Sequence, residues 1–252
     1  MIKRLIMIGA ATLLAGCSTH VQTTSGADFL DRYQQSPAYS SLSTVDADIM
    51  NIAAIEPDIR FPARIGLARI ENGQLATIPG DEASYWSDMA EREGHRYGDF
   101  VPVSPTVAAM VARRDGDRVF NVVDDIRRGA ARQHLDYVLL YEVTNKDQRL
   151  SNGLGFTDAT ILGLFLIPSR KVEVDTVASA ILLDVRNGYP YATTTTFADN
   201  RSTTTKSGAR SKRTKLEDKG RLQSVEKLVD EIEVALQDLK DVAYENLVAE
   251  GY

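Results

Sequence analysis

The sequence predicts an α/β domain in which a mixed β-sheet is covered by helices. Three observations support this class. Strand-like and helical periodicities alternate along the chain, two β-rich runs meet at Asn187 and Gly188 as in a hairpin, and one apolar seam marks a long C-terminal helix. The 252 residues are 43% hydrophobic and 25% charged, a composition that excludes a disordered chain, a collagen-like repeat and a disulfide scaffold.

The first predicted elements lie between residues 46 and 103. Residues 46–55 form a short helix that must end before the next proline. Apolar and other residues alternate over 61–67, which indicates a strand. Asp81 can cap a helix that ends at Gly94. Residues 100–103 form a short strand whose proline favours an edge position.

The middle of the chain predicts two further helices, a central strand and the hairpin. Serine followed by proline begins a helix over 104–111, and residues 119–134 show helical spacing. Residues 137–143 are almost continuously apolar, as expected for a strand covered on both faces. Residues 172–185 and 189–198 form the hairpin, because asparagine and glycine tolerate the positive φ that a two-residue turn demands.

The C-terminal helix carries apolar residues at alternating spacings of three and four. The seam comprises Leu222, Val225, Val229, Ile232, Leu236, Leu239 and Ala243. Leu228, Ala235 and Val242 each lie one residue from a seam position and widen the apolar stripe. A wide stripe favours packing on the sheet over a coiled coil.

Residues 1–16 have the pattern of a bacterial lipoprotein signal. A basic pair precedes an apolar run that is too short to span a bilayer. The run ends in Leu14-Ala15-Gly16-Cys17, which resembles the lipobox before whose cysteine such signals are cut. This resemblance implies that Cys17, the only cysteine, carries the lipid, and that Ser18 addresses the protein to the outer membrane. The alternative is an ordinary secretory signal that ends in a cysteine by chance.

The signal sets the expected organisation of the chain. We expect a signal peptide over 1–16, a lipidated cysteine with a flexible tether over 17–44, and a single periplasmic α/β domain over 45–252. Loss of the signal leaves 27 basic and 35 acidic residues, a formal charge of −8. An acidic periplasmic domain argues against a nucleic-acid partner. The membrane is instead reached through the lipid anchor.

No pattern of catalytic or metal-binding residues is found in the sequence. His20, His95 and His134 lack the spacing of a metal site, and neither a nucleophile elbow nor a phosphate-binding loop occurs. The adjacent pair Asp124 and Asp125 is interpreted as a solvated helix face beside two arginines, because neighbouring helical residues point about 100° apart. We therefore predict no catalytic residue, no metal and no cofactor.

A basic segment lies just before the C-terminal helix in this otherwise acidic chain. It contains Arg201, Lys206, Arg210, Lys212, Arg213 and Lys215, and no acidic residue. Its natural partners are lipid phosphates, peptidoglycan carboxylates, an envelope protein or the chain's own acidic helix. The alternative is a solvated loop without a binding role.

A second unusual segment is the apolar stretch 159–168, which is too short for a transmembrane helix. One interpretation buries it as a core strand or short helix. The other places it at an oligomer contact or in the membrane. The residues that would make this contact are Ile161, Leu162, Leu164, Phe165, Leu166 and Ile167.

Four segments, at 64–68, 100–103, 131–140 and 180–188, together resemble one known family. It includes the curli-secretion channel lipoproteins, the amino-terminal domain of TolB and the lipoprotein activators of penicillin-binding proteins. The resemblance spans about residues 60–245 and rests on the order of elements and the shape of the hairpin. His134 and Leu135 replace the small pair typical of that family, and Asn187 replaces its threonine.

The expected function follows from this address and this resemblance. We expect a lipid-anchored, non-catalytic assembly, adaptor or regulatory module at the outer membrane, with its domain in the periplasm. Its partner would be an envelope protein or peptidoglycan, and a homo-oligomer remains an option. The alternatives are a subunit of an oligomeric secretion or export complex, and an envelope hydrolase with dispersed acidic residues.

Overall fold

A computed structural model describes residues 17–34, 44–112, 121–145, 176–198 and 209–249 of the chain. Within these ranges, seven strands form one mixed sheet and six helices accompany it. The predicted α/β class is confirmed, together with the hairpin and the long C-terminal helix.

The predicted elements follow one another in the expected order, and β1 and β3 are additional strands. The strands are β1 (Ser18–Val21), β2 (Ala63–Glu71), β3 (Gln74–Ala76), β4 (Gly98–Pro102), β5 (Tyr137–Asn145), β6 (Thr176–Asp184) and β7 (Pro190–Ala198). The helices are α1 (Gly26–Gln34), α2 (Thr44–Ala53), α3 (Gly80–Tyr97), α4 (Pro105–Val111), α5 (Val122–Arg132) and α6 (Ala209–Ala249).

The strands are arranged in the order β1-β7-β6-β5-β2-β3, and β4 pairs with the first half of β2. Strand β5 lies between the parallel β2 and the antiparallel β6, so the predicted central strand is confirmed. Among the described strands, the proline-containing β4 pairs only with β2, in parallel, which confirms its edge position.

Helices cover both faces of the sheet. Helices α3 and α6 pack on one face, where Leu228, Ile232 and Leu236 of α6 are buried. Helix α5 covers the other face, and its Ile126 packs in the same cluster as Leu140 of β5. The wide apolar stripe of α6 therefore lies on the sheet, as its pattern predicts.

The flexible tether predicted for residues 17–44 is wrong for its first half. Residues 18–21 form β1, which pairs with β7 in antiparallel register, and the Gln22 amide donates to the Tyr191 carbonyl at 2.7 Å. Without β1, the outer edge of β7 would leave its backbone groups unpaired, and Thr19 and Val21 suit a strand. Residues 26–34 then form α1, while 35–43 lie outside the described residues.

Helix α3 continues three residues beyond the predicted end at Gly94. It ends at Tyr97, and Gly98 follows with a φ of +104°. A Cβ at Gly98 would lie 2.0 Å from the Ala63 carbonyl oxygen, so only glycine fits where the chain enters β4. Gly94 meets no such constraint and stays in the helix.

The hairpin between β6 and β7 is present, but its connection is longer than the predicted two-residue turn. The Gly188 amide donates to the Asp184 carbonyl at 2.9 Å, and only Gly188 of the predicted turn pair has a positive φ. The buried Asp184 carboxylate accepts from the Arg186 amide at 2.7 Å. The Asp184 side chain thus organises a connection of five residues, 185–189, where the prediction relied on the backbone alone.

Candidate membrane-facing site

One end of the sheet carries the start of β1, directly after Cys17, together with the ends of β5 and β7. Ser18 pairs with Thr195, and Thr176 pairs with both Ala198 and Asn145. Cys17 directly precedes Ser18, so it lies at the end of the sheet where β5 and β7 end and β6 begins. We call this the anchor end.

Cys17 is exposed at the anchor end, next to helix α6. Partial burial raises the pKa of its thiol, and the nearby carboxylate of Glu231 raises it further, while Lys227 opposes the shift. A raised pKa keeps the free thiol protonated at neutral pH.

Three hydrogen bonds hold the edge of the sheet against α6 beside Cys17. The Thr19 hydroxyl donates to Glu231 Oε2 at 2.6 Å. The Lys227 ammonium donates to the Phe197 carbonyl at 2.9 Å, and the Thr196 hydroxyl donates to the Ser224 carbonyl at 2.8 Å. The cysteine therefore has a defined place relative to the helix.

The start of α6 changes the interpretation of the basic segment. The segment is predicted as a loop, but Arg210, Lys212, Arg213 and Lys215 lie in the first turns of the helix, because arginine and lysine are good helix formers. Lys215 is exposed, and burial begins only at Gly220. Arg201 and Lys206 lie outside the described residues.

The basic start of α6 lies on the side of the anchor end. Helix α6 runs antiparallel to β7, since Ser224 contacts Thr196 and Glu231 contacts Thr19. Its first turns therefore precede the part that packs at the anchor end. The apolar segment 159–168 lies outside the described residues. The structure describes the chain up to Asn145 and again from Thr176, and both of these residues lie at the anchor end.

A buried ionic cluster fastens α6 to the sheet close to this end. The fully buried carboxylate of Glu82 accepts from Arg69 Nε at 3.0 Å, from the Tyr141 hydroxyl at 2.8 Å and from Arg221 Nη1 at 2.7 Å. Arg221 also pairs with Asp81. Because both oxygens of Glu82 are occupied by these donors, the cluster acts as a structural clamp.

The clamp shifts the ionisation of its members. Burial, reinforced by the negative charge of Glu82, raises the pKa of Tyr141 far above its usual range. The hydrogen bond from Arg221 lowers the pKa of Asp81. Sequence reasoning missed this cluster, since its members come from β2, α3, β5 and α6. The only local sign of the cluster in the sequence is the pair of acidic residues at the start of α3, and such a pair is also typical of an ordinary helix N-terminus.

The remaining candidate groups are dispersed in the structure. Asp124 pairs with Arg127, and Asp125 with Arg128, each three residues along α5. The face is less solvated than predicted, since the side chain of Asp125 is only 13% exposed. Within the described ranges, no group of three histidine, cysteine or acidic side chains is arranged to hold a metal ion. Across the same residues, every helix is too short or too polar to cross a bilayer.

Comparison with known proteins yields no family for this chain. No family description matches it, and no curated protein matches it. Among solved structures, it is similar to PelC dodecamers from Paraburkholderia phytofirmans in two crystal forms. One is 12% identical, with a TM-score of 0.30 over 66% of this chain and 85% of that one. The other, a point variant, is 14% identical, with a TM-score of 0.29 over 66% and 86%.

Proposed function

We propose that this protein is a lipid-anchored, non-catalytic assembly or adaptor module of the outer membrane, whose domain faces the periplasm. One observation carries the proposal: the strand register brings Cys17 to the sheet end at which helix α6 begins, and the first turns of α6 are basic. The lipobox supports lipidation at that cysteine, and a lipid there would hold this end against the bilayer.

Electrostatics favours the same orientation. The N-terminus of a helix carries a partial positive charge, and the first turns of α6 add Arg210, Lys212, Arg213 and Lys215. Basic residues at a membrane surface gain about 1 kcal/mol each from anionic lipids. The rest of the chain is acidic, so this end is the one that an anionic membrane attracts.

A unique probe position tests the orientation. Lipidation consumes Cys17, so Lys215→Cys supplies the sole free thiol for an environment-sensitive fluorophore in the mature protein. In vesicles with quencher-labelled lipid, we expect strong quenching at position 215 and little at Ile52→Cys, the matched control on α2. Equal quenching at both positions would contradict the orientation.

Crosslinked recovery from outer membranes tests the adaptor role. Replacing Arg210, Lys212, Arg213 and Lys215 with glutamine should reduce recovery of envelope partners, leave the melting temperature nearly unchanged, and have less effect at high salt. Equal recovery at low salt would leave this segment without a binding role. Recovery of a large complex made only of this chain would favour the alternative, a subunit of an oligomeric export complex.

A further inference from the structure

A cavity of about 620 Å³ lies between helices α1 and α2 and the hairpin that joins β6 to β7. Its walls include the apolar side chains of Phe29, Ile52, Ile55, Tyr189 and Pro190. This volume is within the range of sites that hold a small molecule or an inserted side chain. The sequence shows no sign of it, because its walls come from three separate segments.

The cavity lies at the end of the sheet opposite Cys17. Ser18 pairs with Thr195 near the end of β7, whereas Tyr189 and Pro190 of the cavity stand at its start. Six residues of strand separate Tyr189 from Thr195, roughly 20 Å at about 3.3 Å per residue. A domain anchored through Cys17 therefore turns this cavity away from the bilayer, towards the periplasm. We call it the distal cavity.

An exposed apolar stripe borders the distal cavity. Four of the eight large hydrophobic side chains that are exposed among the described residues lie on the two short helices: Phe29, Val45, Ile49 and Ile52. Val45, Ile49 and Ile52 are spaced by four and three residues, which puts them on one face of α2. Ile52, which also lines the cavity, is 70% exposed. Exposed apolar side chains concentrated on one face are typical of a protein interaction site.

The rim of the stripe is acidic. Helices α1 and α2 and residues 54–56 carry one basic residue, Arg32, which lines the cavity itself, and five acidic residues: Asp28, Asp31, Asp46, Asp48 and Glu56. Asp48 stands four residues before Ile52, so the two side chains are neighbours on α2. An occupant that matches this surface is apolar where it enters the cavity and carries positive charge where it lies along α2.

The walls of the distal cavity are fastened in place. Glu56 accepts from the Ala27 amide at 2.7 Å and the Gly26 amide at 3.1 Å, which joins the start of α1 to the chain after α2. A Cβ at Gly26 would lie 2.2 Å from the Ala53 carbonyl oxygen, so the helices approach as closely as glycine allows. The Tyr189 hydroxyl donates to the Thr24 carbonyl at 3.1 Å. A site formed in advance binds with little ordering cost.

We infer that the distal cavity and its stripe dock an apolar, basic helical segment of an envelope partner. This inference rests on the proposed adaptor function. A second copy of this chain does not fit: its basic helix start lies at the anchor end, and copies anchored in one membrane all present that end to lipid.

A peptide-binding experiment on the full chain tests the inference. The lipidated protein is measured in nanodiscs, and the unlipidated protein is measured in buffer. Comparing the two distinguishes a failure of anchoring from a failure of docking. The probe is a fluorescent helical peptide of leucine and lysine, followed by anisotropy. Ile52→Asp should weaken binding at least about tenfold, because it removes one buried aliphatic contact. Met110→Asp, an equally exposed position on α4, is the matched control and should bind as wild type.

Charge reversal supplies the second arm. Asp48→Lys should weaken binding of the leucine–lysine peptide and strengthen binding of a leucine–glutamate peptide. Equal binding by wild type and Ile52→Asp, or equal loss in Met110→Asp, would overturn the inference. So would a concentration-dependent dimer that Ile52→Asp abolishes, since the occupant would then be a second copy.

Discussion

Ser18 pairs with Thr195 in the antiparallel ladder between β1 and β7, one residue after the cysteine that the lipobox marks for lipidation. The chain therefore enters the fold directly after Cys17, without a flexible spacer. A lipid on this cysteine would hold the domain at the membrane surface with a set orientation. The adaptor proposal depends on this close coupling between the anchor and the sheet.

The first prediction concerns the anchor. Cys17→Ala should abolish incorporation of labelled palmitate and leave the signal uncleaved, since the residue that receives the lipid is absent. Ser18→Asp is the control: it should keep the lipid and shift the protein to the inner membrane. Persistent palmitate labelling and outer-membrane fractionation of Cys17→Ala would show that the localisation argument fails.

The second prediction concerns the core of α6. Ile232 is 2% exposed between the helix and the sheet, so Ile232→Asp should unfold the domain, because an unpaired buried charge costs several kcal/mol. Val234, on the same helix, is 54% exposed, and Val234→Asp should leave the melting temperature nearly unchanged. A folded Ile232→Asp protein by circular dichroism would contradict the observed packing.

The third prediction concerns the ionic clamp. Glu82→Gln removes the charge that balances Arg69 and Arg221, and we expect a loss of roughly 3 kcal/mol in the free energy of unfolding. Asp81 also pairs with Arg221, but its side chain is 44% exposed, so Asp81→Asn should cost less than about 1 kcal/mol. Urea denaturation measures both. Similar losses of unfolding free energy in the two variants would contradict the larger cost expected from the burial of Glu82.

The fourth prediction concerns alkaline pH. Burial raises the pKa values of Tyr137, Tyr141 and Tyr191 above the ordinary value near 10. Above pH 10, these tyrosines ionise more readily in the unfolded chain than in the native one. Their contribution to stability is therefore complete below pH 10 and is lost as the pH rises towards the native pKa values.

Urea midpoints measured from pH 8 to pH 11 check this dependence. Tyr141→Phe should show a shallower decline than wild type above pH 10, because one buried hydroxyl no longer titrates. Tyr244, which is exposed on α6, supplies the control, and Tyr244→Phe should keep the wild-type slope. An unchanged slope in Tyr141→Phe would contradict the assignment.

Much of the architecture was predictable because burial leaves a local pattern. The apolar run at 137–143 indicated a central strand, and the proline of β4 indicated an edge strand. The apolar stripe around Ile232 indicated a helix packed on the sheet. All three predictions are confirmed. Errors arose where a distant contact decides a local conformation. Helix α3 ends at Tyr97 because the next residue, Gly98, must pass the backbone of Ala63.

The sequence by itself determined the fold class, the long helix and the pattern of a lipoprotein address, since each is encoded in residues that are neighbours along the chain. Only the tertiary structure decided that the serine- and threonine-rich start is a strand. That conformation depends on the open edge of β7 and on a hydrogen bond from Thr19 to Glu231, 212 residues away. The clamp at Glu82 and the distal cavity likewise depend on tertiary structure, because side chains from separate elements meet only after the sheet and helices have packed.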